Sequence, residues 1–175
     1  FNSRQQLVQT VDAIGGKTQY VYNGGGSPVV IQDASGNAIF AKYDALGRKD
    51  WVDDPNQGKT VFSYNAFGEL EKETDANNAI IRYDMDALGR VTQRNAAGSI
   101  AHFTWDTLKK GLPTSHSENG ISKRFSYDSL ARPVSTTINI DGNSYTTTQA
   151  YDANYGRLKS LAYPNELTVG LHYNE

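Results

Sequence analysis

The chain has 175 residues, 17 basic against 19 acidic for a formal charge of -2, 38% hydrophobic residues and no cysteine. The balanced charge offers no field for a phosphate backbone or an anionic membrane surface, and the missing cysteines exclude disulfides, thiolate nucleophiles, zinc ribbons and iron–sulfur sites. No window approaches eighteen consecutive apolar residues, while eleven Tyr and sixteen Gly among many Asn, Thr and Asp make a β composition rich in tight turns.

From the N-terminus, the opening FNSRQQLVQT resembles neither an initiator nor a signal peptide, and the chain reads as an excerpt of a longer polypeptide. An aromatic followed by Asn or Asp then recurs at Phe1-Asn2, Tyr22-Asn23, Tyr43-Asp44 and Tyr64-Asn65, at intervals of 21 residues. In the next unit Gly keeps that period (Gly47, Gly68, Gly89), whereas Tyr83 stands two residues early. Asp84-Met85 reads there as an insertion before Asp86, and a bulge is expected. Further anchors follow at Trp105-Asp106, Tyr127-Asp128, Tyr151-Asp152 and Tyr173-Asn174, spaced by 22, 24 and 22 residues. Eight units cover essentially the whole chain, with a ninth beginning, so 1–175 reads as a single repeat array.

Each unit predicts two hairpins. The first turn puts Asx at its start and Gly at its close, as in Asp44-Ala45-Leu46-Gly47, Asn65-Ala66-Phe67-Gly68 and Asp86-Ala87-Leu88-Gly89. Here the Asx side chain accepts from the backbone two residues on, and Gly adopts φ > 0 without a Cβ clash. The second turn uses the same vocabulary in Asp33-Ala34-Ser35-Gly36, Asp75-Ala76-Asn77-Asn78, Asn95-Ala96-Ala97-Gly98 and Asp141-Gly142-Asn143. Stepping back by two from each anchor gives Tyr20, Ala41, Phe62, Ile81, Phe103, Phe125, Gln149 and Leu171, whereas single steps include Lys42, Ser63, Arg82 and Thr104. That is the period of a strand with one apolar face. No stretch keeps helical spacing over three turns. The fold class is therefore all-β, an array of about eight antiparallel hairpin repeats in a long sheet that is expected to curl or spiral, because so many twisted strands rarely stay flat.

The repeated Tyr-Asp-x-x-Gly-Arg resembles the YD repeat of the Rhs family, which also occurs in the B and C components of bacterial Tc (ABC) toxin complexes and in teneurins. It is carried by YDALGR (43–48), DALGR (86–90), YDSLAR (127–132), YDANYGR (151–157) and LAYPNELTVGLHY (161–173). Two copies depart from it: WDTLKKG has Lys110 where Arg is usual and a displaced Gly111, and Ala131 replaces Gly in YDSLAR. The resemblance implies a non-enzymatic segment of a shell that encloses and helps deliver a C-terminal toxin or effector domain. Its partners would be the remaining repeats of the parent shell and the enclosed domain, and its location the bacterial cell surface or exterior. The family's Asp-Pro-x-Gly-Leu autoproteolysis segment is not matched, since Asp54-Pro55-Asn56-Gln57-Gly58 has an extra residue and no Leu.

The signature positions read as scaffold: Tyr22, Tyr43, Asp44, Gly47, Arg48, Tyr64, Gly68, Tyr83, Asp86, Gly89, Arg90, Trp105, Tyr127, Asp128, Arg132, Tyr151, Asp152, Gly156, Arg157 and Tyr173. A recurring Arg is a strut, able to span its turn to the Asx carboxyl or stack on an aromatic of the adjoining hairpin. The carboxylate pairs Asp53/Asp54 and Asp84/Asp86 fall in turns. His102, His116 and His172 lack metal-ligand spacing, and a calcium reading of Asp84-Met85-Asp86 fails at Leu88 and Asn95. Asn23-Gly24-Gly25-Gly26-Ser27-Pro28 has no following helix to make a phosphate cradle. No cofactor and no metal is called for. The alternative from another class is a carbohydrate- or partner-binding module at the cell surface, with Trp51, which is not an anchor, as the ring on which a sugar would stack.

Overall fold

The computed structural model describes residues 1–174. Among them are sixteen β-strands and no helix, and the strands pair in the order in which they occur, without a crossover. They fall into two compact units, Phe1–Tyr83 and the remainder from Asp84 onward. The first holds β1 (Gln9–Val11), β2 (Lys17–Tyr22), β3 (Pro28–Gln32), β4 (Ala38–Tyr43), β5 (Lys49–Asp54), β6 (Gly58–Tyr64), β7 (Leu70–Thr74) and most of β8 (Ile80–Met85). The second holds β9 (Val91–Ala96), β10 (Ser99–Trp105), β11 (Pro113–Glu118), β12 (Ile121–Tyr127), β13 (Pro133–Ile140), β14 (Asn143–Tyr151), β15 (Leu158–Ala162) and β16 (Thr168–Gly170).

Alternation along each strand sorts the side chains. In the first unit the face that carries the anchors also carries the cross-strand row Tyr20, Ile31 and Ile39, and further on Phe62, Glu73 and Ile81. In the second unit Phe103, His116, Lys123, Ile138 and Tyr145 lie directly opposite one another across five successive strands. These rows are half-buried rather than interior, apart from Tyr145, which is exposed. Among the described residues Ala101 is the one buried hydrophobic residue. The chain exposes 12083 Å², against about 8,400 Å² for a globular monomer of its mass. One layer of sheet has no second layer to cover its apolar face, so most of the stability must come from neighbour-to-neighbour contacts along the array.

Three expectations are corrected by the backbone. First, YDMDALGR contains no insertion. The strand Ile80–Met85 runs unbroken into the turn that starts at Asp86, so Met85 occupies the anchor slot and completes the 21-residue series begun at Tyr22, Tyr43 and Tyr64. Tyr83 lies two residues earlier on the same half-buried side. A bulge is likewise no peculiarity of that unit, because register shifts occur beside the anchors Tyr22, Tyr43, Tyr64, Trp105, Tyr127 and Tyr151. Each puts two residues of the following strand opposite one anchor, as when Lys42 pairs with Trp51 but Tyr43 pairs with Lys49.

Second, Asn95 is a ladder residue paired with Ile100, and the turn is the two-residue loop Ala97-Gly98. Third, the slot usually held by Arg in the WDTLKKG unit belongs to Leu112 and not to Lys110. The Leu112 carbonyl accepts from the Asp106 amide at 3.1 Å, the bond made by the Arg48 carbonyl to Asp44.

Candidate functional site

The recurring chemistry lies in the first turns, which can be built up from one copy. The loop Ala45-Leu46-Gly47 is closed by Gly47 N–H donating to the Asp44 carbonyl at 3.1 Å and by Asp44 N–H donating to the Arg48 carbonyl at 2.9 Å. Asp44 Oδ1 accepts the amides of Leu46 and Arg48, each at 2.9 Å, and Oδ2 receives Arg48 Nε at 2.7 Å. Those bonds, from the Arg48 amide first, hold the Asp44 carboxyl below its usual range against the opposing effect of burial. The outer side of the Arg48 guanidinium lies over the ring of Tyr64, the next anchor, 4.5 Å from its centroid. Each Arg therefore ties its own turn to the following hairpin.

The same arrangement recurs at Asp86, Arg90 and Trp105, at Asp128, Arg132 and Tyr151, and at Asp152, Arg157 and Tyr173. At two of the following turns a side chain on the closing Gly, which has positive φ, would also crowd the bracing guanidinium. A Cβ on Gly68 would meet Arg48 Nη1 at 3.3 Å, and one on Gly156 would meet Arg132 Nη1 at 2.9 Å. Gly47 and Gly89 share the positive φ, and Ala131 adopts it at 64° with a Cβ.

Where the turn begins with Asn instead of Asp, the partner changes with it. Asn65 Nδ2 donates to Glu69 Oε2 and Asn2 Nδ2 to Gln6 Oε1, both at 2.7 Å, in the position Arg otherwise fills. A donor at the first position selects an acceptor at the fifth, and an acceptor selects a donor.

A second regularity escaped sequence reasoning. Each Tyr in an anchor slot donates from its hydroxyl to the carbonyl of the residue that follows the preceding first turn: Tyr22 to Leu7, Tyr43 to Pro28, Tyr64 to Lys49, Tyr127 to Pro113, Tyr151 to Pro133 and Tyr173 to Leu158, at 2.8–3.1 Å. Trp105 does the same through Nε1 to Val91 at 2.8 Å. This explains an aromatic with a donor at its tip, which a purely apolar anchor would not need. Tyr83, off the slot, instead donates to Glu73 Oε1 at 3.2 Å.

The turn at Asp106 lacks an Arg of its own and borrows one. Arg90 donates to Asp106 Oδ1 at 3.0 Å and to Oδ2 at 2.6 Å while still holding Asp86, and Gly111 N–H adds a bond at 2.6 Å. These bonds, Arg90's first, hold the Asp106 carboxyl down to about 2, and the two carboxylates push Arg90 upward.

The other candidate residues are separated. Asp54 caps its own loop through the Asn56 amide, and the carbonyl of Asp84 accepts Thr92 Oγ1. His116 stacks on Phe103 with centroids 4.8 Å apart, and no cluster of three metal-ligating side chains forms among the described residues. Trp51 lies opposite Lys42 and Val61, on the face away from the anchors, with Lys59 Nζ 4.5 Å over its ring. One side of the proposed sugar platform is therefore occupied by an ammonium.

The sequential antiparallel hairpins and the turn-to-anchor ladder define a YD-repeat array of the kind the Rhs resemblance implies. Solved structures share this fold. The chain aligns with the Photorhabdus luminescens Tc holotoxin pore at 21% identity and a TM-score of 0.69, covering 88% of this chain and 9% of that one. TcdB2-TccC3 without its hypervariable C-terminal region aligns at 21% identity and a TM-score of 0.69, over 89% and 10% of the respective chains. TcdB2-TccC3-Cdc42 gives 20% and 0.68, over 85% and 9%. The chain thus spans about a tenth of the length of the chains it matches. Neither a protein-family model nor a curated protein sequence matches it.

Proposed function

We propose that the chain is a non-enzymatic wall segment of a YD-repeat shell that encloses, and helps deliver, a C-terminal toxin or effector domain of its parent polypeptide. The observation that carries this reading is the absence of a conventional interior: a single layer braced turn by turn, with Ala101 as the one buried hydrophobic among the described residues, in a fold shared with Tc toxin chains. A ladder of this kind can be extended indefinitely because each unit needs only its neighbours, which suits a wall better than a catalytic scaffold. The remaining repeats of the parent and the enclosed domain are the partners this reading implies, and the bacterial exterior is the place it implies.

Limited proteolysis of the parent polypeptide tests it. The segment C-terminal to the repeats should survive while this strip is intact and be digested when Gly58→Val disrupts two adjoining turns. Equal digestion of that segment in both proteins would refute enclosure.

A further inference from the structure

The turn chemistry uses Asx at the start of the loop and a positive φ near its end, and leaves the residues between them free. In the second unit one such residue per first turn is nonetheless large and apolar. Leu88, Leu108, Leu130 and Tyr155 are 74%, 53%, 71% and 75% exposed. At the opposite ends of the same strands the two-residue loops are Ala97-Gly98, Asn119-Gly120 and Asp141-Gly142, small or polar throughout. At the loop tips themselves the large apolar residues lie along one edge, where they recur every second strand, about 9.6 Å apart, whereas at the other end Ile100, Ile121 and Ile140 belong to the strands that flank the loops and Leu167 closes the fourth second turn.

That edge is also held stiff. Arg90 ties the first of these turns to Asp106 in the second, Lys109 Nζ donates to the Ser129 carbonyl of the third at 2.9 Å, and Arg132 Nη1 donates to the Gly156 carbonyl of the fourth at 3.3 Å. Every neighbouring pair of turns is joined.

We infer that this rim is a self-association surface, on which the same rim of a second copy of the chain seats with its apolar tips in the gaps between these. A partner must match a repeat of about 9.6 Å, and another such rim does so by construction, as an isologous contact requires. Charge does not oppose the pairing: acid and base cancel within the first, third and fourth turns, and Lys109 and Lys110 exceed Asp106 by one in the second. Burying four such side chains removes on the order of 100 Å² each, or roughly 400 Å² a side, about half of a standard interface. One pair of rims is therefore a weak contact, and longer arrays strengthen it by multivalency.

Sedimentation velocity on the full chain reads the association directly. Combining Leu88→Ser, Leu130→Ser and Tyr155→Ser should weaken it at least tenfold with an unchanged far-ultraviolet spectrum. Because the chain has no cysteine, a second measurement needs one substitution only. Leu130→Cys should oxidise to a disulfide-linked dimer much faster than Ile14→Cys, whose site is 95% exposed at a second turn of the other unit. A wild-type chain that stays monomeric at about 1 mM, an unaffected triple variant, or equal rates for the two cysteines would each overturn the inference.

Discussion

The two units build the same repeat with different turns. In the first unit both ends of the strands use one device, a three-residue loop closed over an Asp or Asn side chain. Asp12, Asp33 and Asp75 accept the amides of their second turns as Asp44 does in a first turn. In the second unit three of the second turns shrink to two residues, each with positive φ at both: Ala97 and Gly98, Asn119 and Gly120, Asp141 and Gly142. Such loops match the twist of the flanking strands and need no side-chain cap. The residues released lengthen the ladder, and β13 and β14 reach eight and nine residues. Side-chain bonds then bridge the longer strands, among them Thr137 to Thr146 at 2.8 Å, Ser126 to Ser135 at 2.6 Å, and Asn139 to Ser122 and Ser144. The first unit stabilises its second turns through carboxylates, whereas three second turns of the second unit rely on backbone geometry and longer strands.

The largest expected effect breaks this contrast at its most crowded point. Gly58 has φ of 73° and would place a Cβ 2.5 Å from that of Ala76 in the adjoining turn, whereas Gly142 has φ of 78° and open space around it. Gly58→Ala should cost about 3 kcal/mol, from the left-handed backbone and the clash together, and Gly142→Ala about 1–2 kcal/mol from the backbone alone. Denaturant unfolding of both variants checks the difference, and equal costs would remove it.

What the units share should respond alike. Tyr64→Phe in the first and Tyr127→Phe in the second each lose one hydroxyl bond to a carbonyl, and each should cost about 1 kcal/mol by the same assay. Ala131→Gly, which relieves a left-handed alanine in the second unit, should stabilise by about 0.5–1 kcal/mol.

The acid response should be strongest in the second unit, although Asp33 and Asp44 in the first are also held below their usual range. Asp106 has a lowered folded-state pKa of about 2 against about 3.9 when unfolded, so its contribution is complete above about pH 4 and is lost as pH falls toward 2. Asp106→Asn should flatten the melting temperature over that window. The smallest effect belongs to the donor–acceptor exchange in the first unit. Asn65→Asp alone should destabilise slightly by facing Glu69, and adding Glu69→Arg should restore stability to within a few tenths of a kcal/mol. Failure of the second change to rescue the first would break the pairing rule.

Much of this was legible in the sequence because it is local. Asp44 to Gly47, Asn65 to Gly68 and Asp86 to Gly89 spell their own turns, and strand alternation follows from the anchors. Met85 was hidden because Tyr83-Asp84 imitates an anchor pair, although counting 21 from Tyr64 points to it. Asn95 was misplaced for a similar reason: an Asn before Gly98 looks like a turn starter, yet the two-residue loop leaves it in the ladder. The Asn119-Gly120 turn, a dipeptide that favours two-residue hairpin loops, was legible in the sequence although not among the turns read from it. The anchor-to-carbonyl bonds and the loan of Arg90 to Asp106 were not, because they join residues 14 to 18 apart through geometry no spacing rule specifies.

The central claim is that DALGR and its copies are a repeated brace, so that no copy is privileged by chemistry and each matters only through what it holds. Melting temperatures of the four single variants Arg48→Met, Arg90→Met, Arg132→Met and Arg157→Met, which keep the apolar stem and remove the guanidinium, test it most directly. All four should fall, with Arg90→Met lowest because it leaves both Asp86 and Asp106 unpaired. Unchanged melting temperatures in all four, or a fall confined to one copy other than Arg90, would contradict the account.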